Sequence, residues 1–297
     1  MTATSAVESE STASAPVVDA HHHLWELKVR AHEWLRAPEL KPIWRDFSLA
    51  ELEPEARTAG VTKTVLVQVA PSLDETREFL AFAACNSLIG GVVGWMDLTA
   101  EDPAAQLDAL RRAPGGQMLR GIRHLVQDEP DPNWLARPDV RKSLRAVADA
   151  GLPYDLLVRP PQAAAALEVV RAIPNLTFVL DHLGKPDIAN SEAAPDPGWA
   201  AWLRELAAEP NVVCKLSGLV TEAHWSTWTV PDLSPYADVA LQAFGPDRLM
   251  FGSDWPVCVL AGTYTEVFAA ARELTNGLST AERDAVFGGT ATRIYAL

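Results

Sequence analysis

Cysteine is scarce in this chain, and its pattern excludes a disulfide-stapled fold. Cys85, Cys214 and Cys258 are an odd set of three, widely spaced and without a C-x-x-C pair. Cys85 falls in a helical pattern and Cys214 in an apolar strand, so buried free thiols are expected, as in a reducing, cytoplasmic compartment. None has the neighbours that a nucleophile needs. Basic residues are also outnumbered. With 25 Lys and Arg against 39 Asp and Glu, the formal net charge is -14, which argues against a nucleic-acid or anionic-membrane partner. No apolar run approaches the ~20 residues that span a bilayer. The opening residues, MTATSAVESESTASAP, lack the basic start and apolar middle of a signal peptide. Being small, polar and acidic, they predict a disordered tail over residues 1–16. No glycine-rich phosphate turn follows the first strand, which counts against a dinucleotide-binding doubly wound sheet.

What is present is a long and regular alternation. Of the 297 residues, 48% are hydrophobic, enough for a sizeable core. Short apolar strand patterns at Val17–His23, Val61–Val69, Gly91–Leu98, Met118–Val126, Leu152–Val158, Leu176–His182, Val212–Ser217 and Arg248–Asp254 are separated by helical patterns. Ser48 and Ser72 read as helix N-caps. Pro235 to Phe244 reads as the helix before the last strand. Such βα alternation implies a parallel sheet. About eight units over ~250 residues, with no break between them, predict a single-domain (β/α)8 TIM barrel over residues 17–297.

The polar ends of these strands carry the chemistry. Side chains alternate along a strand, so in Val17-Val18-Asp19-Ala20-His21-His22-His23 the residues Asp19, His21 and His23 should share one face and His22 the other. Two imidazoles on one rigid strand end make half of a divalent metal site; the competing reading is a solvated histidine loop. The other strand ends offer Gln68, Asp97, Arg123, His124, Asp155, Arg159, Asp181, His182, Lys215 and Asp254. Core packing does not explain apolar strands that end repeatedly in ionisable groups. A barrel gathers these ends on one rim, and closure brings Asp254 beside His21 and His23. A long aperiodic loop from Glu26 to Phe47 follows the first strand, and its Trp34, with Trp25 just before it, can wall a pocket.

The H-x-H of His21 and His23, the DHLGKP run from Asp181 and the GSDWP run from Gly252 resemble the amidohydrolase superfamily, and within it the sugar-lactone hydrolases. Matching stretches such as Arg120-Gly121-Ile122-Arg123 and Ser217-Gly218-Leu219 spread the likeness over nearly the whole chain. The resemblance implies a lactonase that opens a small-molecule sugar lactone to its hydroxy acid. A two-metal centre would need a lysine on the fourth strand, where Arg123 and His124 stand instead. The implied site therefore holds at most one divalent ion, zinc before others, on His21, His23, His182 and Asp254, or works without metal. Asp254, His182 and Arg123 are the implied catalytic groups, with Trp25, Trp34, Arg123, His124, Lys215, Glu222 and Trp255 binding the polyol. Lys215 is alternatively an interior ion-pair partner of a rim carboxylate. A metal-dependent non-oxidative decarboxylase is the rival enzyme, although the fifth strand offers Asp155 where such enzymes carry histidine. A non-catalytic sugar-binding protein is the rival of another class.

Overall fold

Short strands rich in valine alternate with amphipathic helices through the computed structural model, which describes residues 15–191 and 194–297. The order is β1 (Val17–His22), α1 (Leu49–Thr58), β2 (Val61–Val67), α2 (Leu73–Ala84), β3 (Ile89–Gly94), α3 (Pro103–Arg112), β4 (Leu119–His124) and α4 (Pro138–Asp149). It continues with β5 (Tyr154–Leu156), α5 (Ala163–Ala172), β6 (Phe178–Leu180), α6 (Pro197–Ala207), β7 (Val212–Leu216), α7 (Leu219–Glu222), α8 (Val230–Phe244) and β8 (Leu249–Phe251). Three helices finish it: α9 (Tyr264–Leu274), α10 (Thr280–Asp284) and α11 (Thr290–Tyr295). All neighbouring strands pair in parallel in the order β1 to β8. Just past β8, the Asp254 amide donates to His21 O at 2.8 Å and the His23 amide to Trp255 O at 2.6 Å. The sheet thus closes on itself as a (β/α)8 barrel. The expected tail lies outside the described residues except for Ala15 and Pro16.

Two apolar layers hold the barrel. Val18, Ala20, Val65, Val67, Val93, Val179, Val213 and Met250 fill its interior with Ala291 and Tyr295 of α11. Each fully buried valine contributes about 1.5–3 kcal/mol, so the interior is a packed core and not a pore. The outer layer lies between strands and helices, as in Leu52 of α1, Leu144 of α4 and Val169 of α5. α11 stoppers the end of the barrel opposite the site, with Tyr295 reaching inward. Among the described residues no helix is long and apolar enough to cross a membrane.

Local signals set most boundaries. The Ser72 hydroxyl accepts from the Glu75 amide at 3.2 Å, and the Ser48 amide donates to Glu51 Oε1 at 3.3 Å, so both expected caps form. Two expectations need correcting. α8 begins at Val230, five residues before Pro235, because Thr229 and Asp232 close a capping box and the helix runs through the proline. Cys85 is exposed, whereas Cys214 and Cys258 are buried. It stands past the last turn of α2, off the stripe of Thr76, Leu80 and Ala83 that faces the core.

Candidate active site

β1 does not keep its alternation. Its pairing with β2 shifts register between Val17 and Val18 and between Asp19 and His22. Val18 and Ala20 face the barrel interior; strict alternation from there would turn His21 and His23 outward. The irregularity returns both imidazoles to the interior, but not Asp19, which corrects the expectation that Asp19 shares their face. Asp19 Oδ1 accepts from the amides of His21 at 3.1 Å and Ser253 at 2.8 Å, and Oδ2 from the Tyr264 hydroxyl of α9 at 3.2 Å. It ties β1 to the chain after β8. Burial pushes its carboxyl up to about 6. His22 points elsewhere, with Nε2 3.0 Å from Thr64 Oγ1.

At the mouth the ring nitrogens converge. His21 Nε2 and His23 Nε2 are 3.1 Å apart. Asp254 Oδ1 lies 3.7 Å from His21 Nε2, 3.6 Å from His23 Nε2 and 3.8 Å from His182 Nε2. Groups far apart in sequence therefore share one centre. Burial lowers the basicity of all three imidazoles, His182 to about 4, so they are neutral at pH 7. Burial pushes the Asp254 carboxyl up, but His182, His23 and His21 outweigh it and hold the group below the usual carboxylate range. The result is a carboxylate among neutral rings.

Strained backbone presents these side chains. Asp254 has φ 57°, and His182, Leu183 and Lys185 each have φ 53°, conformations that cost about 1–3 kcal/mol each outside glycine. Two glycines make room. A Cβ on Gly218 (φ +66°) would stand 2.6 Å from His182 Nδ1, and one on Gly252 would stand 2.7 Å from His21 Cβ. Gly218→Ala must push His182 off Ser217 Oγ, its partner at 2.8 Å. A displacement near 1 Å can cost ~10²-fold in rate. The variant should therefore lose turnover on that scale while its circular dichroism stays unchanged; unaltered turnover would detach His182 from the chemistry.

Below the rings lies a buried, neutral cluster. Lys215 Nζ donates to Asp155 Oδ2 at 2.5 Å and lies 3.0 Å from Asp181 Oδ1 and 3.0 Å from His21 Nδ1. Arg123 Nη1 donates to Asp181 Oδ2 at 3.0 Å and Nη2 to Gln68 O at 2.6 Å. The Tyr295 hydroxyl donates to Asp155 from beneath at 2.9 Å. Lys215 thus takes the interior ion-pair position and does not reach the cavity.

The cavity above the rings has a volume of about 240 Å³, and its lining includes His23, Trp34, Arg123, Gln127, Asp128, Arg159, His182, Lys185 and Asp254. Besides Lys215, four expected polyol contacts stand off it. Trp25 donates to Arg45 O at 2.6 Å and packs edge-on against Phe47, in the wall of a separate groove. His124 stacks on Trp134 at 4.3 Å, held by Trp95 and Glu129. Trp255 packs edge-on against Phe47. Glu222 sits behind Lys185, 3.3 Å from its Nζ. Sequence reasoning gave Asp155 and Asp181 no role beyond their places at strand ends, and it gave Ser217, Lys185 and Tyr295 none beyond their places in matching stretches. The first four adjoin strand ends or quoted motifs. Tyr295 belongs to the closing Arg293-Ile294-Tyr295 stretch, but nothing local shows that its hydroxyl reaches Asp155, because only the fold brings them together.

The donor set fits one divalent ion. His21, His23 and Asp254 offer ligand atoms within 4.8 Å of one another, and nitrogen with carboxylate oxygen suits zinc. His23 Nδ1 is 2.9 Å from Val67 O, an outer partner that turns the Nε2 lone pair toward the centre. A second grouping of His21, Asp181 and His182 relies on a carboxylate already engaged by Lys215 and Arg123.

Comparison with known proteins gives the family. The amidohydrolase family model matches residues 18–297. L-fucono-1,5-lactonases of Burkholderia ambifaria and Burkholderia multivorans are each 38% identical over 288 residues, covering 94% of this chain and 95% and 96% of theirs. A solved amidohydrolase from Burkholderia multivorans with bound zinc is 38% identical, with a TM-score of 0.89 over 95% of this chain and 100% of that one. A 5-carboxyvanillate decarboxylase from Sphingomonas paucimobilis, 15% identical with a TM-score of 0.64 over 96% of this chain and 100% of that one, shares the fold alone. On the extent of the family match and the rim that its strands build, the chain belongs to the amidohydrolase family.

Proposed function

We propose that this site hydrolyses a sugar-derived lactone to its hydroxy acid, with L-fucono-1,5-lactone, the substrate named for the relatives from Burkholderia, as the first candidate. The observation that carries the reading is the position of Asp254 Oδ1, within 3.8 Å of three imidazole nitrogens on the floor of the cavity. Drug-sized ligands need ~300–1,000 Å³. A cavity of about 240 Å³ suits a single monosaccharide ring.

Ester hydrolysis needs an activated water, donors for the oxyanion and a proton for the departing alkoxide. Asp254 takes a proton from water as the water oxygen bonds to the lactone carbonyl carbon. Arg123, already fixed by Asp181 and Gln68 O, stabilises the negative charge that develops on the carbonyl oxygen. Collapse breaks the ring C–O bond, and the Asp254 carboxylic acid returns its proton to the alkoxide. His182 orients the water from its position near Asp254. A divalent ion, when bound by His21, His23, Asp254 and His182, supplies polarisation of the carbonyl or a more acidic water. Trp34 offers a flat apolar face to sugar carbons, and Arg159, Lys185, Gln127 and Asp128 meet the hydroxyls.

The test is a pH-indicator assay over a panel of aldonolactones, with and without chelator and with a no-enzyme control for spontaneous opening. Acid release above the control on a sugar lactone is expected. A panel without such release would overturn the reading, as would CO₂ evolved from an aromatic acid.

A further inference from the structure

α2 presents two faces. Thr76, Leu80 and Ala83 turn to the core, while Glu75, Glu78, Phe79 and Phe82, spaced i, i+3, i+4 and i+7, line one side of a groove. Opposite them stand Trp25 and Val29, which follow β1, and Phe47, which precedes α1. The groove has a volume of about 550 Å³, within the ~300–1,000 Å³ of small-molecule sites. It shares no lining residue with the catalytic cavity. Its walls are aromatic, and Val29 and Phe82 on them remain 60% and 39% exposed.

Its polar groups are incompletely satisfied. Glu75 is 1% exposed. Its Oε2 accepts from the amides of Val69 at 2.8 Å and Ala70 at 2.9 Å, whereas Oε1 has no hydrogen-bond or ion-pair partner among the described residues. Arg30 is taken up by Glu78, whose two oxygens lie 3.0 and 3.4 Å from its Nη1 and Nη2. Burial pushes the Glu75 carboxyl up to about 7, and a bound cation is what would hold it ionised. His32 is 6% exposed, and its Nδ1 has no partner among the described residues. Burial lowers its basicity, so the ring is neutral and accepts through one nitrogen. With Glu26 and Asp46, four carboxylates line the groove against the one guanidinium of Arg30. Such a groove repels anions, and a neutral occupant leaves Glu75 uncompensated. A cation with a flat ring satisfies both halves, its charge on the carboxylate and its ring on aromatic faces.

We propose that this groove is a second binding site, for an aromatic amine in its ammonium form, with Glu75 as the charge that selects it. The ammonium donates to Glu75 Oε1, and the ring lies against Phe79 and Phe82. Val69, whose amide Glu75 holds, lines the catalytic cavity, so the two sites stand back to back across the end of β2.

The test is calorimetric titration of the full-length chain at pH 8 with 2-phenylethylamine, 2-phenylethanol and phenylacetate, probes of similar shape that differ in charge. An alkylammonium keeps its charge there, as the lysine side chain does. The amine is expected to bind ~10-fold or more tightly than the alcohol, the scale of a hydrogen bond to a charged group, and phenylacetate more weakly than either. Glu75→Gln, whose amide oxygen can still accept from Val69 and Ala70, should remove the preference for the amine. Asp254→Asn should keep it, because the catalytic carboxylate is not the partner. Equal affinity for amine and alcohol would overturn the proposal, and so would a preference lost in Asp254→Asn and kept in Glu75→Gln. A wild-type dimer that Phe82→Asp splits into monomers would also overturn it, since a second copy would then fill the groove. If Glu75→Gln fails to fold, the wild-type preference and its survival in Asp254→Asn decide. No probe is a lactone, so the outcome is independent of the lactonase reading.

Discussion

Asp254→Asn should lower kcat by ~10²–10⁴-fold, the usual contribution of a general acid–base group. The change is nearly isosteric. The backbone amide of residue 254 keeps its bond to His21 O, and no side-chain hydrogen bond is lost, because the nearest imidazole nitrogen is 3.6 Å from Oδ1. What disappears is the ability to take a proton from water and return it to the alkoxide. Since cavity contacts to the sugar are untouched, KM should change little. The measurement is initial acid release with the spontaneous rate subtracted, alongside a thermal melt to show that the fold survives. Near-normal turnover would remove Asp254 from the mechanism.

Lys215→Met should have the largest effect on stability. Lys215, Asp155 and Asp181 are fully buried and Arg123 is 3% exposed, so the four charges balance only as a set. Removing one partner of a buried ionic group leaves an uncompensated charge and costs about 3–5 kcal/mol. For a chain of this size that lowers Tm on the order of 10 °C. Denaturant unfolding of wild type, Lys215→Met and K215M/D155N checks the claim. The single variant should be the least stable, with the double variant recovering part of the loss; a single variant as stable as wild type would show that the cluster does not depend on Lys215.

Much of this architecture is legible in the sequence because a barrel repeats one rule. Apolar strands such as VTKTVLV and helices such as α3, opened by Asp102 and Pro103, announce themselves locally. Parallel closure then places Asp254 beside His21 without any local signal being needed. Two kinds of information escape that reasoning. One is irregular backbone: the register shift in β1 turns His21 and His23 inward and leaves Asp19 on the other face, and no residue type in Val17–His23 marks it. The other is which groups a rim residue meets first. His124 finds the ring of Trp134 and Trp25 finds Arg45 O before either can reach the cavity. Lys215 meets two carboxylates, and Tyr295 arrives from the far end of the chain.

A crystal structure with the aldonate product of the active lactone tests the centre most directly. The new carboxylate should lie beside Asp254, His21 and His23, its carbon within about 3.5 Å of an Asp254 carboxylate oxygen, and the polyol chain should run past Trp34 toward Arg159 and Lys185. A product whose carboxylate lies at the Trp25 groove, or against Lys185 with its hydroxyls facing Asp254, would contradict it.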